Sequence, residues 1–162
     1  VAGSDRSRQE SVALGLAALG RCEADTVVLV HDAARPLTPP QVTGRVIDAV
    51  RAGAGAVIPV LPVTDTLKTV DASGVVVGTP RRSDMAAVQT PQGFRWDVLI
   101  RAHEAGASLG VDEARAATDD AGLVEAIGGS VQTVAGDELS LKVTRPLDLA
   151  LARLLADQEQ AD

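Results

Sequence analysis

The stretch TVVLVHDAARP, residues 26–36, passes without a break from an apolar, β-branched run to a histidine, an acid and an arginine. The run from Thr26 to Val30 has the pattern of a strand that is covered on both faces. Polar residues directly after such a strand lie at its carboxyl end, where open α/β sheets bind their ligands. The stretch therefore predicts a buried strand and a candidate site centred on Asp32.

The composition limits the class of protein. The chain has 162 residues, 46% of them apolar, which predicts a single globular domain over residues 1–162. Its net charge of −7 argues against a basic face for nucleic acid or an anionic membrane. No apolar run reaches the roughly 20 residues that span a bilayer. One cysteine, Cys22, excludes an internal disulfide and a thiolate metal cluster and fits a reducing, cytoplasmic location.

Helical and strand patterns alternate on both sides of the opening stretch. Apolar spacing predicts helices over 9–20, 39–53, 96–106, 113–127 and 147–156, the first capped by Ser7 or Ser11. Strands are predicted over 26–30, 56–60, 66–70, 75–79, 85–90 and 131–134. The alternation predicts an α/β three-layer sandwich around a mostly parallel sheet. A glycine-bearing turn at residues 71–74 predicts a β-hairpin, so that residues 62–84 form an arm that interrupts this pattern.

Asp32 and its neighbours allow more than one interpretation. An acid directly past a buried strand can hold a hydrated metal ion or a ligand hydroxyl, and the small Ala33 and Ala34 let a ligand approach the backbone. The same residues also suit a turn that caps the next helix. Arg35 suits either a ligand contact or a structural ion pair. His31 is typical of a packed or backbone-bonded residue more than of a catalyst.

Three other stretches place cations and hydroxyls beside predicted strands. Thr66 and Lys68 are predicted on one side of a strand, and Arg82 follows Arg81 at a strand end. Lys142, flanked by Leu141 and Val143, must reach water or an anion. Each stretch alone is typical of solvated surface, but together they suit phosphate binding.

Several common sites are missing from the sequence. It contains no His/Cys metal-ligand spacing, no Ser-His-Asp arrangement, and neither a GxxxxGK[ST] nor a GxGxxG motif. A nucleophilic hydrolase and an unrelated dinucleotide-binding module are therefore disfavoured. The segment around Gly3, ahead of the first helix, can still offer backbone N–H groups to an anion.

Six blocks of sequence, in order along almost the whole chain, carry a resemblance to a known family. They are GSDRSRQESV (3–12), VHDAARP (30–36), PVTDTLK (62–68), QTPQGF (89–94), TDDA (118–121) and KVTRPLDL (142–149). The chain resembles the 2-C-methyl-D-erythritol 4-phosphate cytidylyltransferases. The resemblance implies a Rossmann-like nucleotidyltransferase sheet and transfer of a cytidylyl group from CTP to methylerythritol phosphate, with Mg²⁺ and release of pyrophosphate, in the non-mevalonate isoprenoid pathway.

The resemblance also implies roles for particular residues. Gly3 and Ser11 would hold the nucleotide. Asp32 and Ala33 would contact the nucleotide sugar, Mg²⁺ or the methylerythritol group. Lys142 would stabilise charge near the α-phosphate, and Thr66 and Arg82 would bind the methylerythritol phosphate.

The 62–84 arm is further expected to reach over a second subunit, so that Thr66 and Arg82 serve the partner's site in a homodimer. The family's N-terminal strand and its cationic, glycine-rich loop do not precede Val1 in this sequence, so the domain is expected to be N-terminally incomplete and the 162 residues alone inactive. Ser4 stands where many members have a second glycine. The alternatives are a cytidylyltransferase for another polyol phosphate, such as ribitol phosphate, and a non-catalytic remnant that keeps the arm.

Overall fold

A computed structural model describes residues 2–4, 7–108 and 119–159, and places helices on both faces of a central sheet. The helices are α1 Arg8–Leu19, α2 Pro40–Arg51, α3 Trp96–Ser108, α4 Asp120–Ala126 and α5 Pro146–Glu159. The strands are β1 Val27–Val30, β2 Ala56–Pro62, β3 Thr69–Val70, β4 Val76–Gly78, β5 Ala86–Val88, β6 Gln92–Arg95 and β7 Val131–Ala135. The predicted α/β class is confirmed.

Two apolar clusters lie on opposite faces of the sheet and define three layers. One joins Leu16 of α1, Leu99 of α3 and Val124 of α4 to the strand residues Val28 and Phe94. The other joins α2 to Val57 on the opposite face of β2. Alternate residues of one strand therefore enter different clusters, which is the pattern of a strand covered on both faces.

Helix α2 shows how the sequence defines an element. Pro40 occupies its first turn, where the missing N–H costs nothing, and Gly53, with φ of +114°, follows its end. Val42, Val46 and Val50 recur every four residues and are all buried. The helix therefore presents one apolar stripe to the sheet.

The strand directions confirm one part of the predicted sheet and correct another. Strands β1, β2 and β7 share a direction, and β2 pairs with β7 in parallel. However, β6 lies between β1 and β2 and is antiparallel to both, and β5 is antiparallel to β2. The expectation of mostly parallel pairing is therefore wrong, because the chain returns from the hairpin along the edge of β2 without a crossover helix.

Strand β6 was not predicted, although it occupies the middle of the sheet. Its sequence, Gln92–Arg95, follows a cis Thr90–Pro91 peptide and contains Gly93, so it has the composition of a turn. Gly93 is needed for packing: a Cβ there would collide with Val46 of α2 and lie 3.3 Å from Leu29 and Val50 side chains. The glycine lets α2 rest directly on the sheet.

Gly93→Ala is therefore expected to lower the free energy of unfolding by about 1–3 kcal/mol, through overpacking between β6 and α2. Urea unfolding followed by circular dichroism measures the change. Gly44→Ala is the matched control, since a Cβ at Gly44 of α2 meets nothing within 4 Å. Alanine should stabilise that helix by about 0.5–1 kcal/mol. A Gly93→Ala protein as stable as the wild type would contradict the packing argument.

The predicted hairpin is present but shorter than expected. Strands β3 and β4 pair as a separate two-stranded sheet with an irregular register at Thr69 and Val70. Thr66 and Lys68 precede β3 in a loop, so the prediction that they share one side of a strand is wrong. Lys68 Nζ instead donates a 2.8 Å hydrogen bond to Thr79 Oγ1 across the base of the hairpin.

The first residues of α1 and α4 decide two predictions about where these helices begin. Ser7, not Ser11, caps α1, because its hydroxyl oxygen accepts a hydrogen bond from the Glu10 N–H at 3.0 Å. The helix predicted over 113–127 begins at Asp120, with Asp119 as its N-cap. Positions 113–118 of that prediction lie outside the described residues.

Candidate active site

Asp32 lies just past β1, in the turn that the opening stretch forms. Its backbone N–H donates to Thr90 Oγ1 at 3.0 Å, and the same hydroxyl lies 2.9 Å from His31 Nδ1. The helix cap that follows is Pro39, which makes no side-chain capping bond. The interpretation of the stretch as a cap for the next helix is therefore wrong. Thr90 fixes the backbone from which Asp32 projects.

Three cationic side chains face the Asp32 carboxylate. Lys142 Nζ is 3.1 Å and Arg35 Nε is 3.6 Å from its Oδ2, and Arg8 Nε is 3.7 Å from its Oδ1. The sequence predicted the meeting of Asp32 and Lys142, and they form an ion pair. In a chain of net charge −7, this cluster is a local concentration of positive charge. Such a cluster can bind an anion with several charges.

The cations keep the carboxylate ionised. Burial by itself raises the pKa of Asp32, but the hydrogen bond from Lys142 and the positive charges of Lys142, Arg8 and Arg35 outweigh it. The pKa therefore lies below its usual range. At neutral pH, Asp32 is therefore an anion that holds the three cations close to one another and can accept a ligand hydroxyl.

Lys142 is carried by a loop that is tied to the Asp32 turn. The predicted strand-like run around Lys142 is not a strand; residues 141–144 form an irregular segment. Val143 N–H donates to the Ala34 carbonyl at 2.8 Å, and Arg35 Nη1 donates to the Ser140 carbonyl at 2.6 Å. Of the two predicted roles for Arg35, the structural ion pair is present, because its Nε lies 3.6 Å from Asp32 Oδ2 and its side chain is only 12% exposed.

Farther along, the same loop is fixed at the start of α5. The Asp148 carboxylate accepts hydrogen bonds from the N–H groups of Thr144 and Arg145 and from the Thr144 hydroxyl, at 2.8–3.0 Å. These bonds lower the pKa of Asp148. Lys142, whose side chain is 46% exposed, therefore projects from a loop that is anchored on both sides.

Gly3 and Ser11 lie together at the start of α1. A Cβ at Gly3 would lie 3.2 Å from Ser11 Oγ, and the Ser4 N–H donates to that same oxygen at 2.9 Å. The Ser11 hydroxyl lies 3.2 Å from the carbonyls of Ser4 and Ser7. Ser11 thus closes the loop ahead of the helix, and the nucleotide role given to these two residues stays a prediction.

Thr66 and Arg82 lie at the base of the hairpin and are exposed. Arg82 is in a short 3₁₀ turn, not at a strand end, and its Nη1 donates to the Thr64 carbonyl at 2.7 Å. Within the described parts of the chain, no hydrogen bond or ion pair joins either residue to Asp32 or Lys142. Within the described residues of this chain, the two predicted halves of the site are therefore not in direct polar contact.

The structure also adds residues that the sequence did not single out. In the sequence Arg8 is only one residue of the 3–12 block, yet in the fold it contacts both Asp32 and the buried Asp120. His103 Nε2 lies 2.9 Å from the other oxygen of Asp120. The one signal in the sequence was a pair of acids, Asp119 and Asp120, leading into an apolar helix.

Comparison with known proteins identifies the family. The sequence model of the family described as 2-C-methyl-D-erythritol 4-phosphate cytidylyltransferase matches residues 1–158. The chain belongs to this family. The resemblance drawn from the sequence is thereby confirmed.

Similar proteins include two curated cytidylyltransferases of that name. The one from Rhodococcus jostii (strain RHA1) is 53% identical over 156 residues, which are 96% of this chain and 64% of that protein. The one from Nocardia farcinica (strain IFM 10152) is 52% identical over 161 residues, which are 99% of this chain and 64% of that protein. This member of the cytidylyltransferase family therefore spans less than two thirds of the length of these two relatives.

A solved structure has the same fold. The crystal structure of the 2-C-methyl-D-erythritol 4-phosphate cytidylyltransferase from Thermus thermophilus aligns with a TM-score of 0.82 and 39% identity, and covers 97% of this chain and 72% of that one. The three-layer fold is thus that of the cytidylyltransferase family. Among the described residues, no helix combines the length and apolar character needed to cross a membrane.

Proposed function

We propose that the protein containing this chain transfers a cytidylyl group from CTP to 2-C-methyl-D-erythritol 4-phosphate. The observation that carries the proposal is the cluster of Lys142, Arg35 and Arg8 around Asp32 at the end of β1. The relatives, named as enzymes of this activity, support it.

The reaction needs alignment and charge neutralisation more than covalent help from the protein. The methylerythritol phosphate oxygen attacks the α-phosphorus of CTP, a new P–O bond forms, and the bond to pyrophosphate breaks. Negative charge at the α-phosphate grows in the transition state, and the half-exposed Lys142 side chain would turn its ammonium from Asp32 toward that phosphate. Gly3, Ser11 and Ala33 would line the nucleotide, with Ala33 exposed and small enough for close approach.

Asp32 fits a role as a Mg²⁺ ligand. Within the described residues no three histidine, cysteine or acidic side chains gather around one point, so the protein would offer this single carboxylate. Mg²⁺ is commonly held by one or two carboxylates together with substrate phosphates and water. The Asp32 side chain is 16% exposed, so the carboxylate is partly open to solvent. When bound, the ion would neutralise phosphate charge.

The arm fits a homodimer in which a second copy of the chain supplies Thr66 and Arg82. Its apolar residues Val70, Val75, Val76 and Val77 are 53–61% exposed. A two-stranded sheet with no apolar cover is at best marginally stable in water. Burial against a second copy would cover these valines and bring Thr66 and Arg82 to the partner's Asp32 cluster. A cytoplasmic location is consistent with the single Cys22.

The full-length protein should therefore convert CTP and methylerythritol phosphate into CDP-methylerythritol and pyrophosphate in the presence of Mg²⁺. Ribitol phosphate, assayed in parallel, tests the closest alternative substrate. We expect kcat/KM to favour methylerythritol phosphate by about tenfold or more, the value of one well-placed contact. Faster turnover of ribitol phosphate would assign the other polyol. Failure to bind CTP would point to the non-catalytic remnant instead.

A further inference from the structure

Arg8 joins two carboxylates that lie at different depths. Its Nη1 is 2.6 Å from Asp120 Oδ2, and its Nε is 3.7 Å from Asp32 Oδ1. The Asp120 side chain has no exposed surface, whereas that of Arg8 is 34% exposed. The shorter contact is with the buried acid. The guanidinium is therefore held from the interior, and its place beside Asp32 follows from that hold.

His103 completes the buried end of this chain of contacts. Its Nε2 lies 2.9 Å from Asp120 Oδ1, so the two oxygens of Asp120 have different partners. Burial by itself raises the pKa of Asp120, but the hydrogen bond with His103 and the charge of Arg8 outweigh it and lower the pKa. The carboxylate is thus ionised and fixed in orientation by α3 on one side and by α1 on the other.

Stability alone is a poor reason for this arrangement. A buried ion pair commonly contributes no more to stability than apolar side chains of the same shape would. The same two helices, α3 and α4, already contribute Leu99, Leu123 and Val124 to an apolar core cluster. In α1 only Leu16 is buried and Val12 is partly buried, so apolar packing holds the first turn of the helix weakly. The Ser7 cap fixes where α1 begins, and the ion pair ties Arg8, the first residue of the helix, to the buried Asp120.

We propose that Asp120, oriented by His103, is a positioning residue that holds the Arg8 guanidinium beside Asp32, where it faces the anionic ligand. The inference rests on the proposed cytidylyl transfer and extends it to a residue too deep to touch a ligand. Asp120 acts through Arg8. Removing the acid should therefore harm the site only as long as an arginine stands at position 8.

A double-mutant cycle on the full-length protein tests this dependence. Arg8→Gln should lower kcat/KM for CTP by about tenfold to a hundredfold, because one cation near the phosphates is lost. Asp120→Asn should cause a similar loss. The double variant should be no slower than Arg8→Gln alone. Losses that multiply in the double variant, or an Arg8→Gln protein with wild-type kinetics, would overturn the proposal.

Two further variants separate positioning from folding. Asp119→Asn is the matched control: this neighbouring acid caps α4 by accepting from Gly122 N–H and pairs with Gln92, away from Arg8. It should lower stability in urea yet leave KM for CTP near the wild-type value. His103→Asn, which keeps a donor for Asp120, covers the case in which Asp120→Asn does not fold. It should lower kcat/KM by less than Asp120→Asn does, and again only with Arg8 in place.

Each failure has its own signature. A wild-type protein that neither binds CTP in calorimetry nor turns over overturns the proposed function and this inference with it. An active wild-type protein with multiplying losses overturns the inference alone. An Asp119→Asn protein that loses CTP affinity as much as Asp120→Asn does also overturns it, since the loss then follows from damage to α4.

Discussion

Replacing Lys142 by alanine is expected to slow turnover of the full-length protein by about a hundredfold or more while CTP binding weakens far less. In the resting site the ammonium is satisfied by Asp32 at 3.1 Å. Its interaction with the nucleotide should therefore become strong only as charge develops on the α-phosphate. An interaction of that kind lowers kcat rather than affinity when it is removed. Single-turnover kinetics together with calorimetry of CTP binding measure the two effects separately.

Two matched variants make the Lys142 result specific. Arg153→Ala removes an exposed cation from α5, the helix that follows the same loop, and should leave turnover unchanged. Lys142→Arg keeps the charge but alters its shape, and should recover part of the loss. A Lys142→Ala protein with the wild-type rate would remove Lys142 from the site. Equal losses in CTP affinity and in kcat would assign it to ground-state binding.

A second large change in turnover is expected in mixed dimers, because the proposed site takes Lys142 from one subunit and Arg82 from the other. Homodimers of Lys142→Ala and of Arg82→Ala should each be nearly inactive. A mixed dimer with one substitution in each subunit contains one intact site, so it should show about half of the wild-type turnover. Co-expression with two different affinity tags allows that species to be purified.

The control dimer carries the same two substitutions in one subunit and none in the other. If Arg82 serves the partner, both sites of this dimer are damaged and turnover should be almost absent. If Arg82 serves its own subunit, the wild-type subunit keeps an intact site and about half of the turnover remains. The two possible arrangements of the site thus predict opposite results for dimers that carry the same two substitutions. Activity in the control dimer together with none in the mixed dimer would contradict the proposal that one site contains residues of both subunits.

Local sequence patterns predicted those elements whose residues decide their own structure. The β-branched run before His31, the valines of α2 and the turn at residues 71–74 all gave elements close to those predicted. Strand β6 could not be predicted from local sequence. Its Gly93 is required by packing against α2, which is distant in sequence, and not by neighbouring residues. The strand predicted around Lys142 is absent for a similar reason. The backbone N–H of Val143 bonds to the Ala34 carbonyl across the site instead of to a neighbouring strand.

The residues of the candidate site also fall into those that the sequence predicts and those that it does not. Asp32 and Lys142 each stand out in sequence, since a charge beside an apolar run is conspicuous, and the fold brings them together. Arg8 and Asp120 do not stand out, because a buried ion pair between distant parts of a chain has no local signature. Thr66 and Arg82 could be predicted as polar residues of a hairpin, but in the proposed site they reach Asp32 only from a second subunit, an arrangement that local sequence does not encode.

The route of the chain out of the hairpin has a mechanical consequence. After the 3₁₀ turn that carries Arg82, β5 runs along the edge of β2, and the next residues include Thr90, whose hydroxyl accepts the Asp32 N–H. The hairpin arm, which is proposed to contact a second subunit, and the residues that hold the Asp32 backbone are therefore consecutive in the chain and joined by β5. In the proposed dimer, docking of the arm and the position of the backbone beside Asp32 would therefore be coupled through this one stretch of chain.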